Sequence, residues 1–218
     1  MNLNRSERAR LHAALGEEHR LGIVEELAVS DRSPSELGLR LDLPTNLLAH
    51  HLDVLEEVGL IERFVSAGDR RRRYVRLVRG PLADLELATN RPRGTVMFVC
   101  SHNSARSQLA AALWRDRTGG RASSAGTEPA AQVHPGAVAA AKRAGLDLST
   151  SRPRKLKEPV KAGLVVTVCD RAHEELEPEP GWWHWSLPDP VETGNDAAFD
   201  EVIADLDARI ATLGGGVR

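Results

Sequence analysis

The chain has 218 residues, of which 41% are hydrophobic and 28% charged, and a formal net charge of −2. That length suits one or two domains, and the near-balanced charge excludes a wholesale polyanion binder, so any nucleic-acid surface must be a local patch. Two cysteines exclude a disulfide-stapled secreted scaffold. No apolar run reaches the about 18 residues of a membrane helix, and the polar N-terminus lacks a secretory pattern, so a cytoplasmic protein without membrane contact is expected.

In chain order, residues 8–15 and 21–29 read as helices. Ser33-Pro34 starts a short helix, with serine as cap and proline at the first helical position, and it runs through Leu37 and Leu41. Leu43-Pro44-Thr45-Asn46 is a turn into a longer helix, whose apolar positions Leu48, Leu52, Leu55 and Val58 recur at helical spacing and which ends at Gly59. Residues 60–66 and 72–78 form a hairpin around Ala67-Gly68-Asp69. Gly80-Pro81 opens a further short helix over 82–88, and 89–94 is a linker. Domains 1–90 and 91–218 are therefore expected.

The order of helices followed by a basic hairpin is that of a winged helix-turn-helix. With Leu48, Leu52 and Leu55 inward, Thr45, Asn46, Ala49 and His50 face outward where a helix would reach base edges, and Arg70, Arg71, Arg72 and Arg73 on the hairpin suit phosphates. His51 is expected half-buried against the preceding helix. His12, His19, His50 and His51 have no ligand spacing, so no metal site is expected. Residues 49–61 carry a resemblance to the ArsR-type repressor family, extending over about residues 8–80. The resemblance implies operator DNA as partner and a two-fold homodimer, for which 8–15 and 82–88 are the expected faces. Residues 1–99 contain no cysteine, so the thiolate sensors of that family have no counterpart here.

The second part opens with the apolar run 94–99, which leads into Cys100-Ser101-His102-Asn103-Ser104-Ala105-Arg106-Ser107 and then a helix with Leu109, Ala112 and Leu113. Backbone N–H groups of such a strand-to-helix turn point at one spot, and Arg106 can close over it with its planar fork, so a tetrahedral oxyanion fits. The same positive field favours the thiolate of Cys100, to which Ser107 can add a hydrogen bond, making Cys100 a nucleophile. Asp189, beside a proline, can be aimed at a leaving oxygen that needs a proton.

These residues, with the runs 124–127, 133–138, 144–149, 164–169 and 184–190, resemble the low-molecular-weight protein tyrosine phosphatase superfamily, which includes thiol-dependent arsenate reductases. The resemblance implies an α/β fold with a flavodoxin-like doubly wound parallel sheet. It implies Cys100 as nucleophile, Arg106 as oxyanion clamp, Asp189 as general acid, and Asn103 as the residue that holds the loop. Phosphatases of this group place a tyrosine after the Asp-Pro pair, where this chain has Val191. A reductase needs a second thiol. Cys169, at the end of the apolar run 164–168, should share a sheet edge with Cys100, but residues 170–183 hold no third cysteine. Either Cys169 resolves Cys100 directly, or an external mycothiol, glutathione or thioredoxin-type donor does so; no tightly bound cofactor is expected. Three functions stay open: a reductase fused to a DNA-binding module, a phosphatase with the same fusion, and a repressor whose second domain senses an oxyanion without turnover.

Overall fold

The computed structural model describes residues 4–82, 94–157, 160 and 162–213. They belong to two compact units, Met1–Thr89 and Asn90–Arg218.

The first unit contains α1 (Arg5–Leu15), α2 (Glu18–Val29), α3 (Pro34–Leu41), α4 (Thr45–Glu57) and a hairpin of β1 (Ile61–Val65) and β2 (Arg73–Leu77). Helices α1 and α2 begin three residues earlier than the apolar periodicity suggests. Polar caps set those starts: Asn4 and Glu7 form a capping box on α1, and the Glu17 carboxylate accepts from the His19 and Arg20 N–H groups of α2. Ser33 and Glu36 form a second capping box at α3, where proline stands in the first turn. Thr45 and Asn46 lie in the first turn of α4 rather than in the turn before it. The hairpin pairs in register from Ile61↔Leu77 to Val65↔Arg73, and Arg32 bridges to Val75 beside it. Ile23, Val24, Leu27, Leu37, Leu52, Leu55 and Val75 bury together as the core. The expected helix at 82–88 and linker at 89–94 lie outside the described residues except for Leu82, which ends a 3-10 turn from Gly80, and Gly94.

The second unit alternates strand and helix: β3 (Val96–Cys100), α5 (Arg106–Thr118), β4 (Ala122–Gly126), α6 (Pro135–Arg143), β5 (Leu164–Thr167), α7 (Asp170–Leu176), β6 (Trp183–His184), α8 (Pro190–Thr193) and α9 (Asp196–Thr212). The strands form a parallel sheet in the order β4-β3-β5-β6. Chain winding reverses direction at β3, whose two neighbours follow it in sequence, and open α/β sheets place ligand crevices at the carboxyl ends of strands at such a point. Helix α5 is buried from Arg106 through Trp114. Polar Arg106, Ser107 and Gln108 are buried there along with the apolar residues, and α5 contacts β3, β4 and α9.

Leu55 is fully buried in the first unit. Leu55→Ala is expected to destabilise that unit by about 2–5 kcal/mol, read as a shift of its urea transition to lower denaturant.

Candidate active site

The loop 100–107 joins β3 to α5 at the reversal point of the sheet. Its shape is dictated by where its carbonyl groups go. The carbonyls of Cys100, Ser101, His102 and Ser104 accept from the N–H groups of Thr127, Glu128, Ala130 and His134 at 3.3, 2.9, 2.9 and 2.8 Å. In a planar trans peptide the carbonyl and the next residue's N–H point opposite ways. The N–H groups of Ser101, His102, Asn103 and Ala105 therefore turn to the other side of the loop, and that of Asn103 reaches Cys100 Sγ at 3.1 Å. Successive N–H groups gathered in this way form an anion-binding concavity.

Asn103 adopts φ +47°, a left-handed conformation that asparagine tolerates better than most residues. Its Oδ1 accepts from the Arg154 N–H at 2.8 Å and from Gln108 Nε2 at 3.1 Å. Those donors fix the amide orientation, so Nδ2 is the group that donates to Ser107 Oγ at 2.7 Å. The Ser107 hydroxyl then has its own proton free for Cys100 Sγ, 3.0 Å away. Cys100, Asn103 and Ser107 are all buried. Ser101 and Ala105 are buried, Ser104 is half-buried, and the exposed His102 ring bonds the Glu128 carbonyl, so His102 can serve the loop only through its backbone.

Arg106 is nearly buried and its guanidinium is anchored twice: Nη1 donates to the Leu187 carbonyl at 3.0 Å, and Nη2 pairs with Asp189 Oδ2 at 2.5 Å. Asp189 Oδ1 accepts from the Val191 N–H, which aims the carboxylate across the start of α8. The fold thus pairs Cys100 with Ser107 and Arg106 with Asp189 around one strand-to-helix turn.

Cys169 caps α7 and directly follows Val168, whose N–H continues the β3–β5 ladder to the Val99 carbonyl. Cys100 therefore stands one residue past Val99, the last position of β3 paired with β5, and Cys169 two residues past its partner Thr167 on β5. Ser101 Oγ lies 3.5 Å from Cys169 Sγ, and both cysteines are free thiols. Burial pushes the Cys169 thiol above its ordinary range, partly opposed by Arg106. Behind it, Thr167 Oγ1 meets His173 Nδ1 and His184 Nδ1 at 2.9 Å each, and His184 Nε2 meets Asp170 Oδ1 at 3.1 Å. The loop's supports Gly126, Gln108 and Arg154 were not legible as site residues, since each meets the loop only through the fold. Trp185, by contrast, is a core residue against Phe98.

In the first unit Thr45, Asn46, Ala49 and His50 are exposed on α4, and Arg70, Arg71, Arg72 and Arg73 are exposed at the hairpin turn, where Arg71 pairs with Asp69. Arg76 instead pairs with Glu62 and lies over Phe64, and Arg79 donates to the Ala28 carbonyl. Two expectations need correction. His51 is buried rather than half-buried, and it stacks on His19 of α2, with centroids 5.4 Å apart. Although the histidines show no ligand spacing in sequence, the fold gathers Glu17, His19 and His51.

A buried thiol in a nest of backbone N–H groups, faced by an arginine and an aspartate at the edge of a parallel sheet, defines a cysteine-based oxyanion site. Residues 95–217 match the low molecular weight phosphotyrosine protein phosphatases, and the chain belongs to that family. It is 36% identical over 125 residues to an arsenate reductase of Brevibacillus brevis, covering 53% of this chain and 90% of that protein. It is 33% identical over 124 residues to arsenate reductase 1 of Bacillus cereus, covering 53% and 90%. In fold, it is similar to a YwlE arginine phosphatase mutant with a phosphorylated active-site serine, at 19% identity and a TM-score of 0.50, covering 55% of this chain and 92% of that one.

A Cβ on Gly126 would stand 2.5 Å from the Ser101 carbonyl oxygen and 3.0 Å from the Asn103 nitrogen. Gly126→Val is expected to spoil the loop and weaken inorganic phosphate binding roughly tenfold or more, measured by calorimetry, with little change in the melting of the first unit.

Proposed function

We propose that residues 91–218 form a thiol-dependent arsenate reductase domain, and that residues 1–90 form a winged helix-turn-helix that binds operator DNA as a homodimer. The reduction reading is carried by Cys169, a second thiol that follows β5, the strand next to that of Cys100, and whose Sγ lies 3.5 Å from Ser101 Oγ. The relatives named arsenate reductases support it.

In this reading arsenate enters the loop 100–107, Arg106 moves its fork from Asp189 to the oxyanion, and the Cys100 thiolate bonds to arsenic. One arsenate oxygen leaves as water with a proton from Asp189. A second thiolate, from Cys169 or from an external mycothiol, glutathione or thioredoxin-type donor, then attacks Cys100 Sγ. The S–As bond breaks, its electron pair stays on arsenic as arsenite, and a disulfide remains for the external donor to reduce. Burial of Cys169 holds it as a thiol until then.

Thr45, Asn46 and His50 are the base readers of the proposed DNA interface, and Arg70, Arg71, Arg72 and Arg73 its phosphate contacts. Their exposure on α4 and the hairpin supports that assignment.

Turnover assays with arsenate and each thiol donor test the enzyme. Cys100→Ser is expected to abolish reduction, and Arg106→Lys to slow it roughly 10²–10³-fold. Cys169→Ser is expected to remove the internal disulfide found by mass spectrometry after one turnover. Hydrolysis of p-nitrophenyl phosphate without arsenate reduction would establish the phosphatase instead, and binding of either anion without turnover a sensor. For the DNA half, gel shifts of the full chain should weaken steeply with salt, and replacing Arg71, Arg72 and Arg73 by alanine should flatten that slope. Unchanged salt dependence would overturn the hairpin's role.

A further inference from the structure

The first unit holds a side-chain cluster used neither by the oxyanion loop nor by the proposed DNA-facing residues. Glu17 caps α2, His19 lies in its first turn and His51 projects from α4; one ligand atom from each lies within 4.8 Å of the others. No other group of three such donors occurs among the described residues. The extended backbone of Glu17 is what lets residues two apart present donors to one point.

His51 points to a ligand independently. It is 5% exposed, and neither of its ring nitrogens has a hydrogen-bond partner. A neutral imidazole always carries one donor and one acceptor, and buried polar groups are nearly always satisfied. Nδ1 stands 3.5 Å from Glu17 Oε2 without hydrogen-bond geometry. Ligand atoms bound about 2.0–2.2 Å from an ion in a tetrahedron lie roughly 3.3–3.6 Å apart, so this pair already has the spacing of two ligands. His19 Nδ1 is held at 2.7 Å from Glu17 Oε1 and would exchange that contact for the ion.

The charge around the cluster narrows the ion. Arg20 lies 3.9 Å from Glu17 Oε2 and offsets its attraction for a cation, while its guanidinium is held by the Ala14 and Ala13 carbonyls. Attraction through charge alone is weak there, so binding depends on the two imidazole nitrogens. Nitrogen donors suit borderline transition metals and not the oxygen-seeking calcium or magnesium ions. We propose that Glu17, His19 and His51 bind a divalent transition-metal ion of the zinc, cobalt or nickel class, with water completing its coordination.

The test is titration of the full chain, carrying Cys100→Ser and Cys169→Ser to remove thiolates, with Co²⁺ as probe. One equivalent should bind, giving visible d–d absorption without a sulfur-to-cobalt charge-transfer band, and Zn²⁺ should displace it. His19→Ala and Glu17→Gln should each weaken binding roughly tenfold or more, while His12→Ala on α1 should not. Histidine ring NMR of the unsubstituted cluster on adding Zn²⁺ gives a reading independent of variant folding: the His19 and His51 signals should move together and that of His12 stay. Absence of saturable Co²⁺ binding below millimolar concentration, or binding indifferent to His19→Ala, would overturn the site.

Discussion

The second unit depends on one arrangement: four carbonyl groups of the loop 100–107 are tied to the N–H groups of Thr127, Glu128, Ala130 and His134. Each bond does two things. It satisfies a polar group that would otherwise be buried alone, and through peptide planarity it orients an N–H toward Cys100. The concavity is therefore made by the segment after β4 as much as by the loop. Gly126 is where the two approach most closely, and glycine is present there because any side chain would meet the Ser101 carbonyl. Asn103 completes the frame from the inside, joining the loop to Arg154, Gln108 and Ser107 with a single amide.

The parallel sheet does comparable work for the thiols. Register between β3 and β5 fixes Val99 opposite Thr167, so both strands deliver their cysteines to the same end of the sheet, Cys169 one position further along than Cys100. The polar set Thr167, His173, His184 and Asp170 packs beneath that end of β5, where a fully hydrogen-bonded network rigidifies its surroundings. Cys169 is held by its strand, by capping α7 and by Ser101, which is a demanding set of constraints for an otherwise inert side chain.

Sequence reading reached the loop because its chemistry is local: a cysteine and an arginine six residues apart around a strand-to-helix turn can share one ligand. It reached the capped start of α3 for the same reason. It missed the starts of α1 and α2 because apolar spacing marks the buried face and not the polar cap, and Glu17 is an uncommon capping residue. It missed Gly126, Gln108 and Arg154 because their role exists only across the fold. His51 was misjudged because its partner, His19, belongs to a helix that nothing near residue 51 specifies. Asn103 was legible as the loop's inner support; the outer frame from the segment after β4 was not.

The ion pair between Arg106 and Asp189 has a consequence for selectivity in the proposed reaction. The resting site carries its own internal anion, so an incoming ligand is weighed against a carboxylate that is already in place and costs no entropy of capture. A singly charged or poorly shaped anion gains little by entering, because it must evict an equal competitor. A tetrahedral dianion gains, since it can take the guanidinium fork and the backbone N–H groups at once. Eviction also releases the aspartate from the guanidinium that holds it, so that it can turn toward the departing oxygen. The same contact therefore works as a threshold on charge and as a latch that opens only when the right anion enters.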